Sequence, residues 1–176
     1  MNITPITDKT HWAIPFILEL YEEAFPPHER RTTQQLLALI GHADMQLELV
    51  EDEGQPVGFV IWWIIDVYHY IEHIAIHKSA RGKQYGSKII LQLLKLSGNK
   101  LVLEVEPAES IDAQRRISFY ERLGFTIIPF AYMQPPYRKD EHANALLLMS
   151  IPAINEESLF NKLVYVISET VYKQFY

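Results

Sequence analysis

The chain has 176 residues, 48% of them hydrophobic, no cysteine and a formal net charge of −6. This is the size of one ordinary domain with enough apolar material for a core, and residues 1–176 are read as a single domain. The absence of cysteine excludes a disulfide framework, a thiolate nucleophile and a Cys-based metal site. The negative charge argues against a nucleic-acid partner, whose phosphates bind clustered Lys and Arg, and suits a cationic small molecule.

Met1 to Asp8 carry neither a basic segment nor a continuous apolar stretch, so no secretory signal is predicted and a cytoplasmic protein is expected. Ile3 to Ile6 reads as a short strand. Ile14, Ile17, Leu18 and Tyr21 then recur at helical spacing until Pro26-Pro27 stops the pattern. A second helix is predicted over about Arg30 to Ile40, closed by Gly41. Met45 to Glu51, the turn Glu53-Gly54-Gln55 and Pro56 to Val67 form a strand, a tight turn and an antiparallel strand. The second strand is apolar on both faces, as expected when helices cover both sides of a sheet. Gly58 and Asp66 interrupt it, and it is shorter than the roughly 18 residues a membrane span needs.

A further strand runs from about Tyr70 to His77, and from Gly86 the apolar residues repeat every three to four positions, so strand gives way to helix across Lys78 to Tyr85. Gly98 ends that helix. Lys100 to Glu106 alternates as a strand, and Ser110 caps a helix reaching about Leu123, with Gly124 just past its end. Phe125 to Ile128 is the next strand. Pro129 to Asn144, with its prolines and charged residues, reads as a long surface loop before the strand Ala145 to Ile151. Leu159, Phe160, Leu163, Val164, Ile167 and Val171 mark an amphipathic C-terminal helix. The fold class is α/β (α+β), a mixed sheet with helices on both faces.

One segment carries a binding signal. Arg81-Gly82-Lys83-Gln84-Tyr85-Gly86-Ser87 opens a helix, where unpaired backbone N–H groups and the helix dipole attract phosphate. Gly82 and Gly86 permit close approach, and Arg81, Lys83 and Lys88 add positive charge. The same pattern also describes an ordinary connecting turn. The loop lacks the ending of a mononucleotide P-loop and the three-glycine dinucleotide fingerprint.

Ile71-Glu72-His73-Ile74-Ala75-Ile76-His77, the loop Ala80 to Lys88, and Ser118-Phe119-Tyr120-Glu121-Arg122-Leu123-Gly124-Phe125, in this order and spacing, resemble the GCN5-related N-acetyltransferase (GNAT) superfamily. The resemblance covers residues 56 to 128 best. It implies a mostly antiparallel sheet splayed between the fourth and fifth strands, and acetyl-CoA as co-substrate. The family loop, Arg/Gln-x-x-Gly-x-Gly/Ala, places Arg81 first, Gln84 at the first glycine and Gly86 at the second. Gln84 departs from the pattern and is tolerated there if its φ stays negative. The free backbone groups that hold the pantetheine arm fall to Ile74, Ala75 and Ile76.

By the same resemblance Tyr120 protonates the departing thiolate, the alternative being a core tyrosine packed behind Gly124. Glu72 shares strand parity with Ile74 and Ile76 and is a candidate base acting through water, the alternative being a solvated carboxylate. Glu104, Glu106 and bulk water are its rivals. Arg115 or Arg116 reaches the CoA phosphates or lies on a solvated face. His69, His73 and His77 are spaced four apart on a strand, roughly 13 Å, too far to share a metal.

The acceptor site implied by the fold is walled by Tyr21 to Arg30 and by Tyr132 to His142. The first wall is acidic and aromatic, which suits an amine. A small-molecule amine is therefore the expected acceptor, with a monomer or homodimer, no nucleic acid and no membrane. Two other classes stay open: a non-catalytic acyl-CoA-binding sensor, with Gln84 as its motive, and a nucleotide-binding regulator.

Overall fold

Apolar alternation along the chain builds one twisted sheet whose two faces are both covered. The computed structural model describes residues 1–173. The strands are β1 (Asn2–Pro5), β2 (Met45–Asp52), β3 (Gln55–Ile65), β4 (Tyr68–Ile76), β5 (Leu101–Val105), β6 (Thr126–Ile127), β7 (Tyr132–Gln134) and β8 (Asn144–Ile151). The helices are α1 (Ile14–Ala24), α2 (Thr33–Leu39), α3 (Tyr85–Leu96), α4 (Ile111–Glu121) and α5 (Glu157–Ile167). The strand order is β1-β2-β3-β4-β5-β8-β6, with β7 paired to the start of β8. Every pairing is antiparallel except β4 with β5.

Two hydrophobic clusters lie on opposite faces of the sheet. One packs α1, α2 and α5 against Phe59, Ile61, Trp63 and Tyr70. The other packs α3 and α4 against Val60, Trp62 and Ile71. The uninterrupted apolar run of β3 thus serves both cores, as its composition predicts. No helix among the described residues is long and apolar enough to cross a membrane.

Two boundaries differ from expectation. The second helix begins at Thr33 rather than Arg30, because Thr32 and Gln35 form a reciprocal capping box that leaves Arg30 extended ahead of it. The expected loop Pro129 to Asn144 contains β7, so Tyr132 and Gln134 are buried while Met133 faces out. Three residues are too few for periodicity to stand out beside prolines and charges.

Candidate active site

The loop between β4 and α3 is built to leave backbone N–H groups free. Arg81 is extended, Gly82 has φ +82° and Gln84 has φ +62°. The first helical bond runs from Lys88 N–H to Gln84 C=O, and no side chain caps the helix. The N–H groups of Tyr85, Gly86 and Ser87 therefore lack intrahelical partners. They border a cavity of about 440 Å³ lined also by Arg81, Gly82, Gln84 and Phe119. A Cβ on Gly86 would meet nothing nearer than Phe119 at 3.5 Å, so the protein's own packing does not demand glycine there. A diphosphate close to the backbone would. The negative φ expected for Gln84 is not what the fold adopts: this residue takes a left-handed conformation, which costs a residue with a side chain about 1–2 kcal/mol. Lys83 turns away and lines a hollow on the far side with Asp52.

β4 and β5 pair only through His69, Tyr70 and Ile71 with Leu101, Val102 and Leu103. Beyond that they part. His77 N–H donates to Val57 C=O on β3 at 2.9 Å, and antiparallel alternation then turns the backbone groups of Ile76 and Ile74 away from β3, toward the gap. Ala75 stands opposite Phe59, with its backbone groups directed at β3. Arg81 Nε donates to Ile76 C=O at 3.2 Å, tying the phosphate loop to this strand. The gap holds a cavity of about 330 Å³ that shares Ile76 and Arg81 with the loop cavity.

Glu72 is the extra residue of a bulge. Ile61 opposes His73 and Trp62 opposes Ile71, which leaves Glu72 unpaired. The bulge reverses its parity: Glu72 leaves the face of Ile74 and Ile76 and joins that of Trp63, whose Nε1 donates to Glu72 Oε2 at 2.6 Å. Its Oε1 lies 3.2 Å from Arg31 Nε, the two side chains being 2% and 1% exposed. Arg31 sits against the rings of Trp63 and Tyr137, at 5.6 and 5.1 Å from their centroids. Burial pulls its affinity for a proton down, but Glu72 and the nearby tyrosines more than offset this. Glu72 is therefore committed to a sealed ion pair.

His73 is also buried, and burial holds it below the usual imidazole range. Its Nε2 lies 3.0 Å from Glu29 C=O and must donate to it. His69 instead stacks on Trp62 and His77 bonds Ser79, so the three histidines do not converge.

Glu104, on the other lip of the gap, has a different environment. Tyr132 Oη donates to its Oε1, Gln134 Nε2 to its Oε2 at 2.6 Å, and Tyr172 Oη lies 3.1 Å from Oε2. All these donors are neutral. Burial raises its carboxyl above the usual range while these hydrogen bonds oppose the shift. Glu104 lines both the gap cavity and a smaller one of about 80 Å³. Glu106 is engaged by Arg116 at 2.6 Å, and Arg115 pairs with Asp112 on the solvated face. Tyr120 reaches the gap from α4. Burial pushes its phenol up to about 12, so it stays protonated at neutral pH.

The two predicted acceptor walls meet over the smaller cavity, where Phe25 and Glu29 face Gln134 and Tyr137. Arg138 fastens them, donating to Pro27 C=O at 2.7 Å and Arg30 C=O at 3.3 Å. Tyr132 and Gln134 fall inside the expected wall Tyr132 to His142, whereas Arg31 and Tyr172 were not legible as site residues.

Known proteins match this chain in sequence and in fold. The profile of the Acetyltransferase (GNAT) family fits residues 14–125, more than half of the chain. The chain belongs to the GNAT family. The Bacillus subtilis (strain 168) protein YjbC, assigned by name as an acetyltransferase, is 28% identical to this GNAT chain over 109 residues, 61% of this chain and 55% of YjbC. The chain thus spans just over half the length of that curated relative. A Bacteroides thetaiotaomicron protein of the GNAT family superposes with a TM-score of 0.89 at 30% identity, over 98% of each chain. An aminoglycoside 6′-N-acetyltransferase solved with coenzyme A shares the GNAT fold, with a TM-score of 0.61 at 13% identity over 89% of this chain and 100% of that one.

Proposed function

We propose that this GNAT protein transfers an acetyl group from acetyl-CoA to an amine of a small-molecule acceptor, by direct attack within a ternary complex. The observation that carries the reading is the run of adjoining cavities from the α3 N-terminus, through the β4–β5 gap, to Glu104 and the acceptor walls. Coenzyme A bound to the aminoglycoside relative supports acetyl-CoA as the donor.

In this reading the N–H groups of Tyr85, Gly86 and Ser87, with Arg81, hold the pyrophosphate. Ile74 and Ile76 bind the pantetheine arm as a missing strand would, and one of their N–H groups meets the developing oxyanion. Glu104 takes one proton from the acceptor ammonium, and the freed pair on nitrogen forms the new N–C bond at the thioester carbonyl. The second proton leaves the nitrogen of the adduct through solvent, which restores the phenol of Tyr120 after it is spent. The C–S bond then breaks, and Tyr120 gives its proton to the thiolate. The earlier candidate, Glu72, faces the fixed positive charge of Arg31 and is assigned to holding it. Both carboxylates line the gap cavity, but Glu104 has only neutral donors and a raised proton affinity, which suit a base.

Gln84, whose left-handed backbone departs from the expected negative φ, motivates the sensor alternative, which is an outcome of the test below. The acetyl-transfer reading takes the chain as one cytoplasmic acetyltransferase domain. The test is calorimetric titration with acetyl-CoA, ATP and NAD, followed by CoA release across an amine library. Tight acetyl-CoA binding with amine-dependent release is expected. Binding without release from any amine would favour a sensor, and preference for ATP or NAD would favour a nucleotide-binding regulator.

A further inference from the structure

The family profile ends at residue 125, yet the C-terminal turn reaches the site. After α5 the chain continues through Ser168–Tyr172, where Val171 and Tyr172 are sealed from solvent. Arg31 Nη2 donates to Val171 C=O and pins the turn. Tyr172 Oη lies 3.1 and 3.3 Å from the two oxygens of Glu104, 3.1 Å from Gln134 Nε2 and 3.0 Å from Tyr70 Oη. A carboxylate only accepts and a side-chain amide N–H only donates. These partners fix the proton order: Gln134 and Tyr70 donate to Tyr172, and Tyr172 donates to Glu104.

Packing alone does not account for this arrangement, since phenylalanine would fill the same space without placing a hydroxyl in the interior. Nor is it how this protein neutralises a structural carboxylate. Glu72 receives a guanidinium, whereas Glu104 receives only phenols and an amide. Neutral donors orient a carboxylate and still let it exchange a proton.

We propose that Tyr172 is a positioning residue for acetyl transfer, the C-terminal turn joining Tyr132 and Gln134 in orienting Glu104. The inference rests on Glu104 as proton acceptor in the proposed reaction. Tyr172 itself stays protonated throughout.

Tyr132, Tyr70 and Gln134 share the effect with Tyr172, each lowering the Glu104 carboxyl by a hydrogen bond, and the remaining groups that face it hold a fixed charge state. From β4 come Tyr70, Glu72 and His73, the first held protonated by burial, the second paired with Arg31, and the third held neutral. From β7 and the loop after it come Tyr132, Gln134 and Tyr137, both phenols raised well above their ordinary value. From α4 come Tyr120, itself raised, and Arg116, which is paired with Glu106. From α1 and the turn after it come Glu23, paired with Lys78, and Glu29, whose carbonyl holds His73.

The test is a carboxyl ¹³C NMR titration of the protein with labelled glutamate, the Glu104 signal being assigned by its loss in Glu104→Gln. Tyr172→Phe removes a donor to the charged form and is expected to raise the midpoint by about one pH unit, moving the acidic limb of kcat/KM with it. Site-specific 3-fluorotyrosine at 172 keeps the ring, strengthens the donor and moves both downward; it also serves if Tyr172→Phe does not fold. A midpoint unmoved in folded protein overturns the proposal, as does a midpoint that moves without the limb. If the wild type acetylates no amine, the reaction fails as a reading, while the NMR midpoint still decides whether Tyr172 tunes Glu104.

Discussion

Arg31 Nε and Glu72 Oε1 stand 3.2 Å apart in a part of the structure from which solvent is almost wholly excluded. Removing one partner leaves the other charge buried and uncompensated. Glu72→Gln or Arg31→Met alone should destabilise the fold by about 3–5 kcal/mol, and the double variant should recover most of that loss. Urea denaturation of the two singles and the double gives the coupling. Glu72→Gln that remains folded should keep the wild-type acidic limb of kcat/KM, because Glu104 supplies it. A lost limb would return the base to Glu72.

Gly86→Ala separates folding from binding. The added Cβ meets only ordinary contact with Phe119 and raises helix propensity, so stability should hold or rise by up to about 1 kcal/mol. Acetyl-CoA affinity should fall about tenfold or more, because the methyl group occupies the approach to the free N–H groups. Calorimetry showing unchanged affinity would remove this helix start as the anchor.

Gln84→Gly relieves a side chain held at φ +62°. A gain of about 1 kcal/mol is expected, seen as a melting temperature higher by about 2–4 °C. Acetyl-CoA binding should be retained, since the backbone conformation does not change. A lower melting temperature would mean that the Gln84 side chain contributes more than its strain costs.

Tyr120→Phe should lower kcat by about 10²–10⁴ while leaving acetyl-CoA affinity near wild type. The wild-type phenol is pushed up to about 12, so the acid is intact below that pH and lost only above it. The basic side of the kcat profile should accordingly show no loss from this group through pH 10. Wild-type kcat in the variant would make Tyr120 a packing residue.

Strand and helix order and the bare loop at Arg81 to Ser87 were readable from spacing because each is a local pattern, whereas Tyr120 on α4 was singled out only by the family resemblance. What escaped depends on pairing between distant residues. The parity of Glu72 follows from a bulge that exists only because β3 lies opposite, and no property of Glu72 or its neighbours announces it. Arg31 looked like the start of a solvated helix, and its burial requires Glu72, Trp63, Tyr137 and Val171 from four other parts of the chain. β7 was hidden by its shortness. Gln84 was misjudged because its φ is set by the path from β4 into α3.

The short β4–β5 pairing divides responsibility as well as space. The loop, β4 and α4 all fall within residues 14–125, the stretch that the whole family shares. Tyr132, Gln134, Tyr137, Arg138 and Tyr172, which surround the far side of the gap, all come later in the chain. The phosphate loop and the first acceptor wall, Tyr21 to Arg30, thus fall inside the family match, while the second wall falls beyond it. A chimera exchanged after residue 125 would therefore replace one wall of the cleft and leave the phosphate loop untouched.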